Sequence, residues 1–426
     1  MENSAGVEKV MGGVKNGMQR YIALKSDYYY DCKSNRIVYS KKHLSQIIDS
    51  NACKFLPPYE NDYLENNIYS NQQQLILSVT EHCNFRCEYC TYYDSKFENE
   101  KKLKHMTFDV AQMAIDNYIA HSHLAEVRCI SFYGGEPLMN IHLIKQCVEY
   151  VEKLSLNKKM RFLITINGTL LTEETAKYLT DKRFMVNISL DGPLYIHNQY
   201  RKDREQNDTF FNVIEAAKTL IILDPDYWAR ELRFLCVLTP PKNVRAILDF
   251  FESMPYGYRV SDVIITNHIK ECISQQKHTN ISAEDVEVDL KMYKRYTLEV
   301  SLEIQRTKDV LKRSFFERNV FSVGANCLPL VRRLYVSVEG NYYICEKYDE
   351  NIINSFGNVN SGIDFPKLSQ LRQDTLNFHN ENCKTCWAIR FCGICFATIN
   401  RYPDCCEDYK NQALNNLINI LEVENG

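Results

Sequence analysis

The run Leu75-Ile76-Leu77-Ser78-Val79-Thr80 leads, two residues later, into Cys83-Asn84-Phe85-Arg86-Cys87-Glu88-Tyr89-Cys90. The apolar run reads as a strand, and it delivers three thiols into a loop of eight residues. Three thiolates can ligate three corners of a four-iron cluster. The short loop holds no fourth soft ligand, so one iron is left open to chelate a small molecule. An open iron implies chemistry rather than scaffolding.

The chain has 426 residues, 45% of them hydrophobic, enough for two or three domains with a full core. Lys and Arg number 51 against 54 Asp and Glu, a formal net charge of −3, so the balance points to neither nucleic acid nor an anionic membrane. The N-terminal MENSAGVEKVMGGVKNG has no apolar signal-like core, and no apolar run approaches the roughly 20 residues of a membrane helix. The expectation is a cytoplasmic protein. In a reducing compartment, 17 cysteines at short spacings suit metal ligation better than disulfides.

From Leu75 to about Asn267, strand-like runs alternate with amphipathic stretches, the pattern of βα units on a parallel sheet. Strands are expected at Leu75–Thr80, Val127–Phe132, Phe162–Ile166, Met185–Leu190, Arg233–Leu238 and Asp262–Ile265. Helices are expected near Phe108–Ala120, His142–Leu154, Thr172–Leu179, Thr209–Ile222 and Asn243–Met254. Six units are too few for a closed eight-unit barrel, so the fold class is α/β, a curved, partial (βα)6 TIM-like barrel. Ligands of such sheets sit at the carboxyl ends of the strands. The cysteine loop follows the first strand, Gly134-Gly135-Glu136-Pro137 the second, Asn167-Gly168 the third and Asp191-Gly192-Pro193 the fourth.

These motifs resemble a radical S-adenosylmethionine (radical SAM) enzyme, with CNFRCEYC as the CxxxCxxC signature and YGGEP as the GGEP signature. The resemblance runs from about Leu75 to Tyr409. It implies that Cys83, Cys87 and Cys90 hold a [4Fe-4S] cluster whose open iron binds S-adenosylmethionine, reductively cleaved to a 5′-deoxyadenosyl radical. Gly134 and Gly135 would let the cofactor's methionine end approach, and Glu136 would accept from its ammonium. Tyr89 resembles the position that contacts adenine, and Asn167, Ser189 and Asp191 stand where the family places groups for ribose and carboxylate. Capping or turn roles suit these last three equally. His197 and Arg201, in HNQYR, echo a family stretch in which Asn198 is usually Asp; a surface position suits them as well.

A second cysteine array fills the C-terminal quarter. Cys327 precedes Leu334 to Ile344, which alternates like two short strands around Gly340-Asn341 and would fold Cys345 back beside the hairpin. Then come Cys383, Cys386, Cys392 and Cys395, and the adjacent Cys405 and Cys406. This resembles a SPASM domain carrying two auxiliary clusters, for three [4Fe-4S] clusters in all. By that resemblance Cys383, Cys386, Cys392 and one of Cys405 or Cys406 ligate the outer cluster, and Cys327, Cys345 and Cys395 the inner. The spacing of Cys392 and Cys395 is one residue shorter than the family's. The inner cluster lacks an evident fourth cysteine, leaving Cys272, the spare member of the Cys405/Cys406 pair, a non-cysteine residue or an open iron. A zinc ribbon is the alternative.

The expected domains are residues 1–74, a short winged-helix-like segment resembling a peptide-recognition element; 75–270, the barrel; 271–325, bridging helices; and 326–426, the auxiliary-cluster domain. The front segment shows strand patterns at Tyr21–Leu24, Tyr28–Asp31 and Arg36–Ser40 and a helix near Lys42–Ser50, and could add a leader peptide to a sheet edge. Together the resemblances imply a maturase of a ribosomally synthesised precursor peptide, supplied with electrons by a donor such as flavodoxin or ferredoxin, with a thioether crosslink the favoured product. The alternatives are an anaerobic sulfatase-maturing, formylglycine-forming enzyme, or a carbon–carbon crosslinking or epimerising maturase. The sulfatase-maturing type carries Asp directly after the cysteine matching Cys345; here Glu346 stands there, a possible base or a surface residue.

Overall fold

The computed structural model describes residues 68–90, 103–154, 159–237, 244–254, 330–346 and 355–383, with short strands at 14–15, 18–19, 21–23, 28–31, 36–39, 54–55, 263–266 and 320–321 and a few positions around Cys386, Cys406, Lys410 and Leu414. The expected helix at Lys42–Ser50, the expected bridging helices of 271–325 apart from positions 320–321, and Cys272, Cys327, Cys392, Cys395 and Cys405 lie outside the described residues.

Two compact units are present, one of residues 62–293 with 327–367, the other of 1–61, 294–326 and 368–426. In the first, strands and helices alternate as the periodicity predicts: β1 (Gln74–Thr80), α1 (Phe108–Ala120), β2 (Arg128–Gly134), α2 (Ile141–Lys153), β3 (Met160–Ile166), α3 (Glu173–Asp181), β4 (Phe184–Ser189), α4 (Leu194–Tyr200), α5 (Phe210–Leu223), α6 (Pro225–Glu231), β5 (Leu232–Val237), α7 (Val244–Ser253) and β6 (Val263–Thr266). β1 to β6 pair in chain order, every neighbour parallel. The short α4 and α6 are additions to the expected set.

The helices start where the sequence offers caps. The hydroxyls of Thr107 and Thr172 and the carboxylate of Asp224 accept the N–H groups of Val110, Thr175 and Tyr227 at the openings of α1, α3 and α6. Alternation along β3, β4 and β5 divides the sheet. Phe132, Phe162 and Phe184 stack with centroids 5.4–6.4 Å apart on the helix-covered face. Burying each such ring contributes roughly 1.5–3 kcal/mol. The opposite parity, Leu163, Thr165, Met185, Asn187, Leu235 and Val237, is only partly covered and lines a cavity.

The sheet has two further strands, β7 (Arg333–Val336) and β8 (Tyr342–Tyr343). The hairpin expected over Leu334 to Ile344 forms, with Gly340 at φ +85° in its turn. β7 also pairs in parallel with β1, Leu334 opposite Leu75, extending the barrel sheet to eight strands. Nothing in the local strand–helix alternation announces that pairing.

In the second unit, Tyr21–Ala23, Tyr28–Asp31 and Arg36–Tyr39 form an antiparallel three-stranded sheet at the positions expected. Among the described residues no helix is long and apolar enough to cross a membrane.

Candidate active site

β1 ends against the turn that follows β2. Gly135 N–H donates to Thr80 O and Glu136 N–H to His82 O, both at 2.8 Å. A Cβ on Gly134, which sits at φ +128°, would meet Thr80 O at 2.2 Å, and one on Gly135 would meet His82 O at 2.3 Å. The two glycines are therefore required by the neighbouring strand's exit, whatever they do for a ligand. The cysteine loop is clamped on its far side: Arg86 N–H donates to Lys202 O and Glu88 N–H to Tyr200 O, while Cys90 N–H donates to Cys87 O and closes a tight turn. The Asn84 carboxamide accepts from Asn167 Nδ2 at 2.8 Å and donates to Thr169 Oγ1 at 2.8 Å, tying the loop to the end of β3.

Cys83, Cys87 and Cys90 reach one cavity of about 450 Å³ at the carboxyl ends of the strands. Burial pushes the Cys87 thiol up to about 12, against the pull of Arg201, and Cys83 is driven up by burial and then by Glu136. Thiols in such surroundings ionise only if a cation is supplied, which a metal centre does. Among the described residues no three His, Cys, Asp or Glu side chains gather around a point for one ion. A tetrahedral zinc would hold its thiolates close together, at Zn–S of about 2.3 Å. A four-iron cluster gives each thiolate its own iron and spreads them out, so three cysteines facing one cavity fit a cluster.

Around the cysteines stands a buried polar network. Glu136 is 1% exposed; its carboxylate accepts Asn167 N–H at 2.6 Å and Leu138 N–H at 3.1 Å, and burial raises its carboxyl to about 7. Each oxygen retains a lone pair for a further donor. Tyr89 Oη donates to Asp191 Oδ2 at 2.6 Å and accepts from Arg201 Nη1 at 2.5 Å, while Asp191 Oδ1 accepts Val237 N–H at 3.0 Å. Burial pushes the Asp191 carboxyl up, with Arg201 opposing. Ser189 lines the cavity without entering this network. Asn167 spends its carboxamide on Asn84 and on Thr169, the turn role left open above.

His197 and Arg201 are not surface residues: their relative exposures are 0% and 6%. Burial, then Arg201, hold the imidazole well below its usual range. Its Nδ1 accepts Asp191 N–H at 3.4 Å, which leaves Nε2–H to donate to Thr209 Oγ1 at 3.1 Å. Asn198, in place of the family's Asp, accepts Thr209 and Phe210 N–H and so caps α5.

Glu346 lines the same cavity, with its side chain 8% exposed; a surface position is ruled out. It pairs with Arg333 at 2.9 Å, and the Cys345 thiol donates to its other oxygen at 3.4 Å. β7 carries Arg333 and thereby brings Glu346 to the wall. In the second unit, Cys386 N–H donates to Cys383 O at 3.0 Å, the tight turn of a CxxC knuckle, and Cys406 is close enough to Cys386 to raise its thiol, after burial.

Residues 77–223 match the family model of the radical SAM superfamily. This segment is a radical SAM domain. The mostly parallel sheet with covering helices that contains it is the radical SAM fold. The serine-type anaerobic sulfatase-maturating enzyme of Bacteroides thetaiotaomicron is 31% identical over 140 residues, which are 32% of this chain and 34% of that protein. The cysteine-type anaerobic sulfatase-maturating enzyme of Clostridium novyi is 33% identical over 191 residues, 43% of this chain and 49% of that protein. The chain thus spans between a third and a half of the length of these curated relatives. The solved structure of native anSMEcpe with bound AdoMet and Cp18Cys peptide superposes with a TM-score of 0.57 at 20% identity, covering 81% of this chain and 99% of that one. At that identity the likeness is one of fold. Sequence reasoning left the burial of Arg201 and His197 open, and it did not single out Arg233, which reaches the cavity from an exposed position on β5. Arg233 was signalled by a charge at the inward parity of an otherwise apolar strand.

Proposed function

We propose that the chain is a radical SAM peptide maturase that removes hydrogen from a carbon of a precursor peptide and closes a thioether to a cysteine sulfur. The observation that carries this reading is that the three cysteines and the Glu346–Arg333 pair wall a single cavity at the strand ends. Cys83, Cys87 and Cys90 would hold the cluster, with Glu136 accepting from the ammonium of S-adenosylmethionine, and Tyr89, Gly134, Gly135, Asn167, Ser189 and Asp191 shaping the rest of its site. When bound, cluster and cofactor supply a 5′-deoxyadenosyl radical that takes a hydrogen atom from the substrate carbon. Joining that carbon to a thiol sulfur releases one proton and one electron. Glu346 would take the proton, and the electron would pass to a one-electron acceptor of the iron–sulfur class.

Auxiliary clusters on Cys327, Cys345 and Cys395 and on Cys383, Cys386, Cys392 and Cys405 or Cys406 belong to the same proposal, for three [4Fe-4S] clusters in total. The knuckle turn at Cys383–Cys386 and the nearness of Cys406 support the outer set. A flavodoxin- or ferredoxin-like donor would supply electrons in the cytoplasm, and the edge of the Tyr21–Tyr39 sheet would receive a leader peptide.

A second reading, oxidation of a Cys or Ser side chain to formylglycine, is favoured by the names of the relatives and by the acid that follows Cys345. It needs the same hydrogen-atom and proton removal. Mass spectrometry of a cysteine-containing precursor coexpressed with the chain separates the two. Loss of two hydrogens with the sulfur retained but no longer alkylatable is the expected result; conversion of a cysteine or serine to an aldehyde would establish the second reading.

The Glu136 role has its own check. Glu136→Gln is expected to weaken S-adenosylmethionine binding by about 10- to 100-fold, the loss of a charge-assisted hydrogen bond worth roughly 1.5–3 kcal/mol. With its carboxyl raised to about 7, the wild-type residue gains charge as pH rises through neutrality, so affinity should increase from pH 6 to 8 and level off above. Equilibrium dialysis of the reconstituted protein at several pH values reads both. Equal affinity in the variant would remove Glu136 from the cofactor site.

A further inference from the structure

The loop of Cys83, Cys87 and Cys90 pairs along its length with the chain that leaves α4. Arg204 N–H donates to Asn84 O at 3.2 Å, Arg86 N–H to Lys202 O at 2.8 Å and Glu88 N–H to Tyr200 O at 3.1 Å. The register is antiparallel and is fixed by the bridge between Phe85 and Asp203. Two residues further along the loop, the same register sets Cys87 opposite Arg201. Neither donates its N–H to the other, and in antiparallel pairing such residues bring their side chains closest together.

The guanidinium follows that register. Arg201 Cζ lies 5.6 Å from the ring centre of Phe85 and 6.0 Å from that of Tyr89, the residues two before and two after Cys87, which share its face in an extended chain. Its Nη1 donates to Tyr89 Oη at 2.5 Å. The group is thereby held over the middle of the loop, with Arg201 only 6% exposed. Its Nε–H is fully enclosed and, among the described residues, has no hydrogen-bond acceptor. An enclosed donor is destabilising while unmet, and the acceptor that the register puts opposite it is the sulfur of Cys87. Arg201 is also the strongest charge opposing the effect of burial on the Cys87 thiol.

We propose that Arg201 sets the reduction potential of the loop cluster, donating from its guanidinium to sulfur at Cys87 and so favouring the reduced form. Reduction brings one electron, and with it one negative charge, into a site beside which the carboxylates of Glu136 and Asp191 are buried. Hydrogen bonds to the sulfurs and nearby charges are the means by which a protein sets such a potential. Without the cation, the two carboxylates would hold the potential lower, further from the reach of a flavodoxin- or ferredoxin-like donor. This inference rests on the loop cysteines holding the cluster and is independent of the product made from the peptide.

The test is a redox titration of the full, anaerobically reconstituted chain without S-adenosylmethionine, followed by electron paramagnetic resonance. The loop-cluster signal is the difference between each protein and the same protein with Cys83→Ala, Cys87→Ala and Cys90→Ala added. In Arg201→Gln the ratio of reduced to oxidised loop cluster at a fixed potential should fall roughly tenfold, the loss of one charge-assisted hydrogen bond, or about 59 mV of midpoint for one electron. Arg201→Lys keeps the charge and loses the planar fork, so its midpoint should fall by less; it carries the test if the Gln variant assembles no loop cluster. Midpoints equal to or above that of the wild type would overturn the proposal. The same holds if S-adenosylmethionine binding alone is weakened, since Arg201 would then serve only the cofactor. A wild-type signal unchanged by the three cysteine substitutions would overturn the cluster assignment as well.

Discussion

Replacing Cys83, Cys87 and Cys90 together by alanine is expected to abolish formation of 5′-deoxyadenosine from S-adenosylmethionine and to lower bound iron by about four per chain. The three side chains face one cavity, and no other thiol among the described residues is offered there by the strand ends. Cys383, Cys386 and Cys406 belong to the other compact unit, so iron held by that array should persist in the variant. Iron analysis and chromatography of the reaction products after anaerobic reconstitution give both numbers. Wild-type 5′-deoxyadenosine from the triple variant would mean that the loop does not hold the reactive centre.

The second large effect concerns Glu346. If it accepts the proton released as the new bond closes, Glu346→Gln should cut peptide modification by roughly 10²- to 10⁴-fold, the usual span for loss of a general base. The ratio of 5′-deoxyadenosine to modified peptide should rise, because hydrogen abstraction precedes the proton step. Gln keeps the volume and one oxygen for Arg333, so a collapse of the ion pair is not the intended perturbation. A role confined to holding Arg333 would instead lower cofactor cleavage and modification in proportion. Quantifying both products under single-turnover conditions distinguishes these outcomes.

Much of the barrel was legible because its signals are local. Thr107 and Thr172 cap the helices they precede, and apolar runs with βα spacing place β1 to β6 within two residues of their observed ends. The cysteine loop and the Gly134–Glu136 turn were legible for the same reason, each being one short segment at a strand end. What escaped depends on contacts between distant segments. His197 and Arg201 look like ordinary surface residues in HNQYR until α4 is packed under the cysteine loop, where Arg201 meets Tyr89 across 112 positions. Glu346 reads as an exposed acid until β7 pairs with β1.

That pairing of β7 with β1 also bears on how the protein is made. β1 leaves the ribosome as an edge strand, its outer row of N–H and C=O groups unmet, and the segment that satisfies them begins only at Arg333. At ordinary rates of synthesis the gap between Thr80 and Arg333 takes roughly 10–50 s to translate. Throughout that interval the nascent barrel carries an open apolar border beside a loop of reactive thiols. Its exposure to mispairing and premature oxidation is therefore greatest before the last quarter of the chain appears, and shielding by chaperones would matter most then.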